Sequence, residues 1–187
     1  NTMTLKIGLI LDDIKASKYI YDLVHWSEKI ENIEITHFII QNSLKKNKNY
    51  FLSTINKFKN KSLIDILSKI NWKLINYFEY LLLKKTNFKN HLDQYDLTIF
   101  QKKVIAVNPL KSTSGIYYEY SPEDIEQLHK KNFDLLIRCG SGILRGKILN
   151  LNKYGILSFH HGDNRYYRGG PAGFWEVYER NNSSGFI

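Results

Sequence analysis

Residues 5–11 read LKIGLIL, an apolar run broken by one lysine and one glycine. Seven residues make a strand rather than a helix, and a strand with one wet face would alternate polar and apolar residues. This one does not, so both of its faces must be covered, the condition of a parallel strand inside an α/β sheet. A chain that opens this way needs companion strands on either side and helices above and below.

The rest of the chain supplies them. Residues 16–30 space Tyr19, Ile20, Leu23, Val24 and Ile30 as one face of a helix, and residues 34–40 (EITHFII) form a second strand. Strand, helix, strand is the start of a doubly wound sheet. Residues 42–62 are polar, rich in Lys and Asn, and fit either an insertion or a weakly patterned helix. Residues 63–85 (LIDILSKINWKLINYFEYLLLKK) are one or two helices, whose large apolar side chains call for burial. Residues 104–107 are a third strand. Ser121 is a helix N-cap followed by Pro122, Glu123 and Asp124, and that helix runs to about Lys131. Residues 133–138 (FDLLIR) are a fourth strand, and Gly140-Ser141-Gly142 turns the chain into a short helix at 145–151. Residues 156–160 are a fifth strand. Arg168-Gly169-Gly170-Pro171 opens a last helix through about Glu179, and residues 184–187 begin another strand. No repeat and no break in composition divides the chain. The reading is a single α/β domain over 1–187, doubly wound and mostly parallel, in three layers.

Charge excludes less than its size implies. The formal net charge is +9, but the excess is Lys scattered through 45–61 and 84–89 rather than an Arg stripe. A nucleic-acid groove is therefore disfavoured, while anionic substrates such as nucleotide phosphates are favoured. The longest apolar run falls short of the roughly 18 residues of a membrane span. The first residues run directly into a strand, unlike a signal peptide. The single Cys139 can form no internal disulfide, which fits a cytoplasmic protein.

Ligands of open α/β sheets bind beyond the carboxyl ends of the strands. Three loops meet that condition: Asp12-Asp13, residues 139–142, and residues 160–170. The last is richest, with His160, His161, Asp163, Asn164, Arg165 and Arg168 closing on Gly169-Gly170. Adjacent strand residues face opposite ways, so only one histidine can face a given site unless Gly162 turns the chain there. One histidine is then a general acid or base, titrating near neutral pH. A metal held by His160, His161 and Asp163 is the rival reading, without a second cluster to complete it. Arg168 to Gly170 ahead of a helix is a weak anion site or simply a turn. Asp12-Asp13 faces substrate or makes a turn. Phe174, Trp175, Val177 and Tyr178 read as core.

At these residues the chain resembles the folate-dependent formyltransferases, the group of methionyl-tRNA formyltransferase, glycinamide ribonucleotide transformylase and the sugar N-formyltransferases. Their Asn-x-His at a strand end corresponds to Ser158-Phe159-His160, and their Gly nine positions later to Gly169. Their apolar Ile-Leu-Pro loop corresponds to Ile143-Leu144-Arg145, fourteen residues before Ser158. Ser184-Gly185-Phe186-Ile187 is similar to a Thr-Gly-Val-Thr strand. The segments HHGDNR, RGGP and GFWEV are similar to a divergent variant of the family. Ser158 stands where the family has Asn, Asp163-Asn164-Arg165 where it has Leu-Leu-Pro, and the family's Asp lies beyond Ile187.

The resemblance implies a Rossmann-like fold and formyl transfer from 10-formyltetrahydrofolate, as cosubstrate, to a small-molecule amine. A nucleotide-linked amino sugar is the first choice of acceptor. His160 takes the family histidine's role, Ser158 or Asn164 the missing Asn's, and His161 and Asp163 are additions of the variant, with Asp163 orienting a histidine. Arg138, Gly142, Ile143 and Leu144 form the folate side. Asp12, Arg168, Gly169 and Gly170 form the substrate side. No metal is implied, a homodimer is compatible, and the domain is expected to be cut short at its C-terminus. The alternative is a domain of this kind that binds another ligand without transferring formyl.

Overall fold

The LKIGLIL run is the centre of the sheet. The computed structural model describes residues 3–42, 62–86, 93–114, 116–159, 163, 165–167 and 173–185, without the side chains of 63, 65, 66 and 69. β1 (Leu5–Leu11) leads through a short β2 (Lys15–Ser17) into helix α1 (Lys18–Ser27) and back to β3 (Ile33–Gln41). After helix α2 (Leu63–Lys84) come β4 (Gln94–Asp96), β5 (Lys103–Val107), β6 (Leu110–Lys111) and β7 (Tyr117–Glu119). Helix α3 (Pro122–His129), β8 (Leu135–Arg138), β9 (Ile143–Arg145), β10 (Ile156–Ser158) and helix α4 (Phe174–Tyr178) complete the described elements.

Five strands form an all-parallel sheet in the order β10-β8-β1-β3-β5. The chain builds outward from β1 to β3 and β5, returns to the other side of β1, and builds outward again through β8 and β10. Alternate residues of β1 feed two separate cores. Ile7, Leu9 and Leu11 pack with Ile35, Phe38 and Ile137 under Ile20 and Val24 of α1. Ile10 packs with Ile39 and Leu136 under Leu128 of α3. Both faces are covered, as a run without polar–apolar alternation requires. The five expected strands of the sheet and the third helix lie where the sequence puts them, while the strand expected at 184–187 is not formed at Ser184 and Gly185. Ser121 caps α3 by accepting the amide N–H of Asp124 at 3.1 Å.

Four expectations need correction. The first helix begins at Lys18 rather than Ala16, because Lys15–Ser17 pairs antiparallel with β4. Residues 143–145 join β7 as a parallel strand, ahead of a 3-10 turn at Gly146–Asn150. Residues 63–85 do form one helix, but Leu67, Ile70, Leu74, Phe78 and Leu82 are exposed. The two sheet faces are already taken by α1 and α3, which leaves these side chains uncovered among the described residues. The last helix is one turn long, starting from Gly173, and Phe174, Trp175, Val177 and Tyr178 are exposed. Its buried residue is Glu176, whose carboxylate accepts from Ser184 Oγ at 3.1 Å. That bond fixes the rotation of so short a helix, and its neighbours turn outward. Ser184 and Gly185 have no regular structure. Residues 43–61, and Arg168 to Pro171, lie outside the described residues. No helix of the described residues is long and apolar enough to cross a membrane.

Candidate functional site at the carboxyl edge of the sheet

The strand order reverses at β1, so the carboxyl ends of β1 and β8 flank the place where a crevice opens in such sheets. Register puts Ile10 beside Arg138, and Arg138 beside Ser158. The sheet thereby gathers Asp12, Arg138 and Ser158, which are far apart in the chain, along one edge. Arg138 Nη1 donates to Ser158 Oγ at 3.3 Å. Arg138 Nε is buried and has no partner among the described residues. Burial pulls the guanidinium below its ordinary pKa, while nearby Asp12 and Tyr120 act the other way. It stays charged regardless.

Asp12 is held on two sides. Its Oδ1 accepts from Gln41 Nε2 at 3.2 Å, and its Oδ2 accepts from the Ser141 amide at 2.8 Å. Gln41, the last residue of β3, is 1% exposed, and its Oε1 accepts from the Tyr120 hydroxyl at 3.2 Å. Burial keeps that phenol well above its ordinary pKa, so it remains a donor. Gly140 leaves room for this chain: a Cβ there would lie 2.7 Å from Gln41 Nε2 and 2.8 Å from Asp12 Oδ1. Sequence reasoning passed over Gln41 and Tyr120. The available signal was a polar residue closing the apolar stretch Phe38-Ile39-Ile40 at the end of β3.

No protein-family model matches the chain, and no curated protein sequence is significantly similar to it. The functional reading therefore rests on the residues themselves.

On the expected folate side, Gly142 has φ +79°, and a Cβ there would enter the Tyr118 ring at 1.6 Å. Only glycine lets the chain turn so tightly against that ring. Ile143 is exposed, whereas Leu144 is 7% exposed and packs in the core with Tyr118 and Ile148. Ile143 can meet a ligand directly, and Leu144 supports the wall behind it. Just after β8, Cys139 is half-buried, and that burial pushes its thiol up to about 11. It is protonated and inert at neutral pH.

The loop after β10 is described at Asp163 and 165–167. Asp163 accepts from the Arg165 amide and from Nε and Nη2 of the same side chain. This pairing holds the carboxyl at about 2. Its backbone carbonyl accepts from the amides of Tyr166 and Tyr167, closing a turn. Both carboxylate oxygens of Asp163 are thus engaged by Arg165. His160, His161, Asn164, Arg168, Gly169 and Gly170 lie outside the described residues. Among the described residues no group of three His, Cys, Asp or Glu could hold a metal ion.

Proposed function

We propose that the chain is the formyl-folate-binding domain of a formyltransferase with a Rossmann-like, doubly wound fold, acting on an amine carried by a nucleotide sugar. The supporting observation is the Arg138–Ser158 pair, at the strand end where the family resemblance puts an oxyanion donor. In the reaction, the acceptor nitrogen attacks the formyl carbon, the bond from that carbon to N10 of the folate breaks, and the proton lost by the amine goes to N10. The tetrahedral oxygen formed in between carries negative charge. The Ser158 hydroxyl, oriented by Arg138, would supply a donor at that edge, and a preorganised donor of this kind is worth roughly 3–4 kcal/mol. His160 would carry the proton. Arg138, Gly142 and Ile143 would hold the folate, with Leu144 behind them.

The test is the full-length protein with 10-formyltetrahydrofolate and a panel of nucleotide amino sugars, following release of tetrahydrofolate. Turnover with at least one acceptor, lost by about a hundredfold or more in His160→Ala, is the expected result. Unchanged turnover in that variant would sink the role given to His160.

A second reading keeps the fold and drops the transfer. It is favoured by Ser158 in place of Asn and by the engagement of Asp163 with Arg165. Absence of folate-analogue binding by full-length protein in calorimetry would select it.

A further inference from the structure

Among the described residues nothing of α2 enters either core, although the helix runs for 22 residues. Its apolar residues are nevertheless ordered. Leu67, Ile70, Leu74, Tyr77 and Leu81 follow one another at steps of three and four, the spacing of a coiled-coil seam. Ile64 and Phe78 flank that seam on one side. From Ile64 to Phe78 the apolar members of this face are 49–73% exposed, and Leu81 is half-buried. Trp72 and Tyr80, away from the seam, stand among Lys73, Asn76 and Glu79 and form no second stripe.

The six exposed side chains leave roughly 100 Å² each to water, on the order of 600 Å² in one stripe. That is the upper end for an apolar patch on an ordinary monomer, and it reaches the roughly 600–1,000 Å² per partner of a stable interface. The stripe also fits itself. When two copies of α2 run antiparallel about a two-fold axis, Ile70 of one copy meets Leu74 of the other, and Leu67 meets Tyr77. On the flank, Ile64 meets Phe78. Every one of these pairs is apolar and occurs twice. In the parallel arrangement the next seam position stacks Lys84 of one copy on Lys84 of the other. Charges beside a seam select a different partner chain. Within 67–81 Lys73 is the one such charge, too little to specify an acidic partner.

We infer that the Leu67–Leu81 face of α2 is a homodimer interface, paired antiparallel with the same face of a second copy of this chain. Interfaces of this size range in affinity from micromolar to picomolar, and a short seam containing a tyrosine belongs at the micromolar end. In dilute unfolding experiments the copies are apart, and single side chains of α2 contribute little there. The inference goes beyond formyl transfer and does not depend on it.

The experiment is sedimentation velocity on the full-length protein between about 1 and 200 µM, a range that spans a micromolar dissociation constant. The chain should pass from monomer to dimer across it. Leu74→Glu should weaken self-association by about a hundredfold or more, and at about 1 µM its thermal midpoint should match that of the unsubstituted chain. Antiparallel pairing brings Asn71 of the two copies together beside the axis, so Asn71→Cys should give a disulfide-linked dimer on mild oxidation. Glu79→Cys, off the seam, should not. A monomer at every concentration, or a dimer that survives Leu74→Glu, would overturn the inference. Failure of Asn71→Cys to cross-link would overturn the antiparallel pairing. A lowered midpoint for Leu74→Glu at about 1 µM would show that α2 is covered by its own chain instead. Binding to anionic lipid vesicles by a chain that stays monomeric would assign the face to a lipid surface.

Discussion

At Asp163 the carboxylate is taken by Arg165 from the backbone and from the side chain together. Its carboxyl should therefore titrate near pH 2 by NMR, about two units below an ordinary Asp. The folded-state value is the lower one. Whatever the pair contributes to stability is thus present above about pH 4 and is lost as pH falls through about 2. In Arg165→Gln the titration should return to the ordinary range. A value still near 2 in that variant would mean that something other than Arg165 holds the charge. This residue also marks a limit of reading single positions. A histidine-rich loop with an Asp and an Arg announces chemistry from composition alone. Which group the Asp faces depends on a turn two residues long. Gln41 is the converse case. Its type and place are ordinary in the sequence, and only the sheet register brings it to Asp12.

Among the elements, the buried strands were legible because apolar runs of four to eight residues between turn residues are too short for helices, and the Ser121 cap because its geometry is local. The two misjudged helices share one cause: apolar spacing tells which face a helix would bury, not whether a surface is free to receive it. α2 makes the difference measurable. Phe78 is 61% exposed, and Phe38 on β3 is 1% exposed. Phe78→Gln should shift the urea midpoint by an amount worth about 0.5 kcal/mol or less. Phe38→Ala should cost about 3–5 kcal/mol. A loss at Phe78 comparable with that at Phe38 would show that α2 is packed in solution. β9 escaped notice for a related reason. Three residues carry too little pattern to identify a strand, and its pairing partner lies about 26 residues earlier.

For the whole molecule, the order β10-β8-β1-β3-β5 places the first strand made between neighbours made far apart in time. β3 follows β1 by about 20 residues, but β8 follows it by more than 120. At synthesis rates of about 5–20 residues per second, one edge of the most apolar strand waits roughly 6–25 s for its partner. An open apolar edge is a template for pairing with another chain. Protease protection of β1 in ribosome-arrested chains should appear only once β8 has emerged, and protection already present after β5 would contradict this. The same strand position that gathers Asp12, Arg138 and Ser158 into one crevice thus gives the growing chain its longest exposure. A cell making this protein quickly would have to shield β1 with a chaperone or lose part of the product to aggregates.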